Sequence, residues 1–198
     1  MHPVGQLGIT ALNTIGDPNK TVSGKKPKTV CLYDGQEIRT KGDGDYEADA
    51  AALRQAAATY ASNGSWMIDI SNPNWQHQLE QIRDAEERNG GGIDRIMIFD
   101  HGDSSGQEFG STRLDPYSTE WQTITSCIRT GGHIVLTGCN VATHDKDGNG
   151  REYLYQLYRN SNGKRRPKID AYDGKVRHRE NKLQHSVTPG EEHTIPLD

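Results

Sequence analysis

Ile96-Met97-Ile98-Phe99-Asp100-His101-Gly102 and Ile134-Val135-Leu136-Thr137-Gly138-Cys139-Asn140 decide how this chain folds. Each is an apolar run of strand length that stops at a reactive side chain beside a glycine. One run delivers a histidine, the other a cysteine. Parallel strands of one sheet end on the same edge, and crevices outside the carboxyl ends of strands are where open α/β sheets place their ligands. The two runs therefore predict a parallel sheet with His101 and Cys139 meeting at one edge.

Working outward, apolar runs and turn signals alternate. A strand is expected at Thr29–Tyr33, closed by Asp34-Gly35. A helix follows over Tyr46–Ser62, with Leu53, Ala57 and Tyr60 at helical spacing, ending at Asn63-Gly64. Trp66–Ile70 is a second strand, and Asn72-Pro73 opens a helix through about Arg88. The third strand is Asp94–Asp100. Gln107–Leu114 reads as a small hairpin with Gly110 near its turn, and Pro116 starts a helix that ends at Gly131-Gly132. His133–Thr137 is the fourth core strand, Arg151–Arg159 a helix and Lys168–Tyr172 a fifth strand. Strand and helix in alternation predict a mainly parallel sheet with helices on both faces. Residues 1–28, rich in Gly, Pro, Asn and Thr, read as an arm or linker ahead of a single domain over 29–198.

Hydrophobic residues make up 32% of the chain and the mean hydropathy is −0.86, so a modest core and long polar loops are expected. No stretch approaches the roughly 18 apolar residues of a membrane span, and no leader-like segment opens the chain. A soluble protein is expected, its location open between the cytoplasm and delivery as an effector. Residues 1–150 carry 13 basic and 20 acidic side chains, against 10 and 7 in residues 151–198. The overall charge of −4 gives no reason to expect a nucleic-acid partner. Three cysteines, Cys31, Cys127 and Cys139, are too few and too unevenly spaced for a disulfide framework or a zinc site. Cys31 and Cys127 fall inside apolar elements and read as buried; Cys139 follows a glycine at a strand end.

A thiol is mostly protonated at neutral pH, so an adjacent imidazole is needed to take its proton during attack. Gly102 and Gly138 allow close approach of another backbone. The N–H groups of Gly102 and Cys139 are candidate donors to an oxyanion. Asp100 adjoins His101, but neighbours on a strand face opposite ways, so it is not expected to orient the imidazole.

This arrangement resembles the caspase-like superfamily of cysteine peptidases, which includes metacaspases, gingipains and clostripain. In that family a histidine follows one core strand as His-Gly and the cysteine follows the next. His101-Gly102 and Gly138-Cys139-Asn140-Val141-Ala142 are most similar to a bacterial branch. The resemblance implies a three-layer sandwich with a mainly parallel central sheet, and a thiol protease acting through a Cys139–His101 dyad without a cofactor. It also implies a pocket built from Asp34, Thr137 and Asp173, two of them acidic, hence cleavage after Arg or Lys. Lys164-Arg165-Arg166 then becomes a candidate self-cleavage site. Two other readings stand beside the endopeptidase: a catalytically silent interaction domain, and a toxin or effector module of a larger bacterial polypeptide.

Remaining motifs carry less. His133 and His144 read as surface histidines, and His77, His178, His185 and His193 show no ligand spacing. Asp145-Lys146-Asp147-Gly148-Asn149-Gly150 resembles half a calcium loop, but the twelfth position is Gln156 and not the chelating Glu, so a turn is favoured; no metal ligand is assigned, and calcium stays open as the minority reading because some members of the caspase-like family respond to it. Arg159–Lys182 holds nine basic and three acidic residues, with only Tyr172 noted as an interleaved aromatic. The partner expected is a protein or peptide substrate.

Overall fold

The computed structural model describes residues 9–11, 28–35, 46–61, 66–71, 75–88, 90–143, 146, 148–162, 166–172, 175–179, 182–188 and 191–194. In chain order the elements are β1 (Ile9–Ala11), β2 (Thr29–Tyr33), α1 (Tyr46–Tyr60), β3 (Met67–Asp69), α2 (Trp75–Arg88), β4 (Ile93–Phe99), β5 (Gly102–Asp103), β6 (Gly106–Phe109), β7 (Thr112–Arg113), α3 (Thr119–Cys127), β8 (Ile128–Leu136), α4 (Gly150–Arg159), β9 (Lys168–Ala171), β10 (Lys175–Arg179), β11 (Lys182–Thr188) and β12 (Glu191–Thr194). Six strands form one sheet in the order β1-β9-β8-β4-β2-β3, every neighbour pair parallel. The chain reverses direction across this sheet between β2 and β4, the kind of switch point at which doubly wound sheets open a crevice.

Side-chain alternation divides the core into two layers. Val30, Leu32, Ile96, Ile98, Ile134, Leu136, Ile169 and Ala171 face one way, against Ile82 of α2, Trp121 and Ile124 of α3, and Leu154 and Leu157 of α4. Cys31, Tyr33, Met97, Phe99 and Val135 face the other way, against Leu53, Ala56, Ala57 and Tyr60 of α1. Strands buried on both faces read as continuous apolar runs, which is why the motif segments show no polar alternation. The α/β architecture with a mainly parallel sheet is therefore as expected.

Three details differ from the sequence reading. Ile9–Ala11 is not linker: it pairs with Ile169–Ala171 and forms an edge strand. α3 ends at Cys127, ahead of Gly131-Gly132, because Ile128 is fully buried and pairs with Ile93; the glycines sit inside β8, where the register against β4 shifts. The hairpin gains a third strand, since Gly102–Asp103 pairs with Gly106–Gln107. Beyond β9, the chain forms a separate antiparallel meander, β10-β11-β12.

Asp100 ties the end of β4 to this hairpin. Its Oδ1 accepts from His101 N–H at 2.7 Å and its Oδ2 from Gly110 N–H at 2.7 Å. Gly110 has φ +59, and a side chain there would collide with the Ile70 carbonyl oxygen, so glycine is required on two counts. Burial, reinforced by the nearby Asp34 carboxylate, overcomes the two backbone donors and pushes the Asp100 carboxyl up to about 8.

Two predictions follow from this packing and this carboxyl. Trp121 is fully buried and its indole N–H donates to the Leu157 carbonyl at 2.8 Å, joining α3 to α4. Trp121→Ala should cost about 3–5 kcal/mol in urea unfolding, and a loss below ~1 kcal/mol would refute the packing. A carboxyl raised in the folded state binds its proton more tightly than in the unfolded chain, so its contribution to stability is full below about pH 4 and falls as pH rises toward about 8. Asp100→Asn should cost roughly 1–3 kcal/mol at low pH, because an amide cannot accept from both N–H groups. That deficit should shrink as pH rises through the same window; a deficit independent of pH would contradict the assignment.

Candidate functional site

The site grows out of the pairing of β4 with β8. Their register runs Ile96 with Ile134, Met97 with Val135 and Ile98 with Leu136. Thr137 extends it by donating both its N–H (3.0 Å) and its hydroxyl (2.9 Å) to the Ile98 carbonyl. His101 and Cys139 are each the third residue beyond the last pair, on strands that lie ~4.8 Å apart. The structure thus brings the two sequence-predicted residues to the same sheet edge.

Beyond the strands the two segments interlock through backbone. A Cβ placed on Gly138 would lie 2.8 Å from the His101 carbonyl oxygen and 2.9 Å from Gly102 Cα. Nothing larger than glycine fits at 138. His101, Gly102, Cys139 and Asn140 are all half-buried, while His101 Nε2 is shielded from solvent. Asn140 adopts φ +56, a left-handed conformation that asparagine tolerates better than most residues, and its carbonyl accepts from Thr143 N–H at 2.8 Å. Ala142 N–H donates to the Tyr172 carbonyl at 2.9 Å, which anchors the cysteine loop to the end of β9.

One residue central to this edge has no signal in the sequence. Gln107, on β6, is fully buried. Its Nε2 donates to the carbonyls of His101 (2.8 Å) and Glu108 (3.1 Å), and its Oε1 accepts from Gly138 N–H at 2.9 Å. A glutamine in a short polar hairpin reads as solvent-facing. Only the three-dimensional path of the hairpin across both strand ends turns it inward.

The three thiols are set apart by burial. Cys31 is completely buried and its thiol is held far above the usual range by desolvation. Cys127 is also buried, and desolvation pushes its thiol up to about 11. Cys139 is only partly buried, packed at the margin of the α1-side core. A buried, protonated thiol is inert, so among the three Cys139 is the one placed to react.

The other expected site residues do not assemble. Asp34 is buried, its N–H donating to the Phe99 carbonyl at 3.1 Å, and it acts on Asp100 electrostatically. Thr137 is fully buried with its hydroxyl committed to Ile98. Both residues expected to line the substrate pocket are thus buried, with the Thr137 hydroxyl already engaged by the backbone. Asp173, Lys164, Arg165, His144, Asp145 and Asp147 lie outside the described residues. Arg166 is exposed, its guanidinium 5.4 Å from the Tyr158 ring, and Arg159 lies 5.6 Å from the Tyr155 ring; the aromatic partners of this basic region come from α4, ahead of it in sequence. His133 is not a free surface histidine: its Nδ1 lies 3.0 Å from Oδ2 of buried Asp170. Among the described residues no group of three His, Cys, Asp or Glu is arranged to hold a metal ion, and no helix is long and apolar enough to cross a membrane.

No family model and no curated protein matches the chain. Among solved structures, two variants of a Serratia marcescens short-chain dehydrogenase/reductase are similar. One has 13% identity and a TM-score of 0.36, covering 73% of this chain and 76% of that chain. The other has 14% identity and a TM-score of 0.30, covering 66% and 65%. Likenesses this distant do not transfer dehydrogenase chemistry to this chain. Both matched proteins are oxidoreductases and neither is a thiol protease, against the expectation raised by the motifs. The endopeptidase reading, with its cleavage after Arg or Lys and its self-processing at Lys164-Arg165-Arg166, finds no counterpart among them.

Proposed function

We propose that this chain is an α/β domain of caspase-like layout in which Cys139 is a reactive thiol that accepts an acyl group from a small carbonyl ligand. His101 takes the thiol proton, and the N–H groups of Gly102 and Cys139 receive the oxyanion. The observation that carries the reading is the interlock of His101-Gly102 with Gly138, which holds an imidazole-bearing and a thiol-bearing segment together at the carboxyl edge of the sheet. The placement of His-Gly after one core strand and Gly-Cys after its neighbour supports the caspase-like layout. Peptide hydrolysis is not part of the proposal.

In the step proposed, the Cys139 sulfur attacks the carbonyl carbon as its proton passes to His101, and the π electrons move onto oxygen. Collapse of that oxyanion re-forms the carbonyl and expels the leaving group, leaving a thioester on Cys139. The proton on His101 is available to the departing group. Donors fixed in advance stabilise the oxyanion without reorganising, which is commonly the largest single contribution to such a step.

Mixing the protein with p-nitrophenyl acetate should release nitrophenolate in a burst stoichiometric with protein, with the acetyl group recovered on Cys139 by peptide mapping. Cys139→Ala should abolish the burst, and His101→Ala should slow it by about 10²–10⁴-fold. A burst that survives Cys139→Ala, or an acetyl group found on Cys31 or Cys127, would overturn the assignment.

A further inference from the structure

We infer that Gln107 is the positioning residue of this edge: its carboxamide fixes the His101–Gly102 peptide unit so that the Gly102 N–H faces the reacting carbonyl. The inference rests on the acyl-acceptor reading above and names the group that makes the oxyanion donor available.

The argument is geometric. A trans peptide is planar, and its C=O and N–H point in opposite directions. The His101 carbonyl and the Gly102 N–H belong to one such unit. That carbonyl accepts from Gln107 Nε2 at 2.8 Å and from Glu108 N–H at 2.8 Å, so it is held toward the hairpin from two sides. The Gly102 N–H is therefore turned away from β6. The pairing of Gly102 opposite Gln107 agrees: in an antiparallel ladder the position next to a hydrogen-bonded pair directs its N–H outward.

The same carboxamide accepts from Gly138 N–H at 2.9 Å. Gly138 N–H is thus spent on structure, so the donor that this network turns toward a ligand is that of Gly102. One fully buried side chain spans both motif segments, and each of its polar atoms has a partner in this network. Without it the 101–102 peptide keeps one of its two anchors and gains freedom to rotate.

Two reagents separate positioning from a general effect on the fold. Iodoacetamide alkylates a thiolate by displacing iodide from a saturated carbon, so no oxyanion forms and the Gly102 N–H is not required. Acetylation by p-nitrophenyl acetate does pass through an oxyanion. Gln107→Glu keeps an acceptor for Gly138 but loses the donor to the His101 carbonyl. It should lower the acetylation rate by about 10²-fold while alkylation of Cys139 changes by less than about threefold. The ratio of the two rates cancels the thiolate fraction, and it should recover as pH falls and the introduced carboxyl gains a proton that it can donate. Gln107→Met, of similar volume and without polar atoms, should show the low ratio at every pH and serves where the carboxylate prevents folding. If both rates fall together, or neither falls, Gln107 is not a positioning residue. If wild-type Cys139 is alkylated but never acetylated, the acyl-acceptor reading itself fails.

Discussion

The parallel pairing of β4 with β8 is the constraint from which the site follows. Its register, Ile98 opposite Leu136, fixes where both strands stop, and the two hydrogen bonds that Thr137 donates to the Ile98 carbonyl extend it by one residue. A slip of one residue would exchange the faces of every side chain on β8, driving Leu136 toward α1 and Val135 toward α3. The buried residues on both layers forbid that slip. Chemistry at the edge thus inherits its precision from apolar packing well below it.

Polar groups then finish what packing begins. Asp100 binds the hairpin to β4, and Gln107 binds the hairpin to both strand ends. Both side chains are buried, where each unmet hydrogen bond is expensive. The hairpin is held by few apolar contacts, of which Phe109 and Leu114 are the buried ones, so these amide and carboxyl contacts specify its position. Buried polar networks of this kind rigidify a site only when every member is satisfied.

Much of this was legible in the residues. Apolar runs at Thr29–Tyr33 and Asp94–Asp100, with helices between them, gave the sheet, because strands buried on both faces leave a dense signal. The arrival of His101 and Cys139 at one sheet edge followed from parallel topology alone. Other features were not legible. Ile9–Ala11 is too short to show a period and sits among residues typical of loops, so only pairing with β9 reveals it as a strand. Gly131-Gly132 carries the signature of a helix stop, yet Ile128 enters the sheet first because burying it against Ile93 outweighs the extension of α3. The burial of Gln107 and Asp34 was illegible for a common reason. Polar residues in turns are usually solvated, and their burial here is decided by what crosses over them.

The short edge strand has a further consequence for how the chain comes together. Ile9 pairs with Ile169, so the two residues that close this side of the sheet are separated by nearly the whole sequence. During synthesis Ile9 emerges first, but its partner on β9 emerges only after β2, β4 and β8 are already available to pair. Joining residues so far apart costs more loop entropy than any other contact in the sheet. The β9 edge therefore stays open while the central strands assemble and is sealed last, which makes that edge the most exposed to other chains during folding.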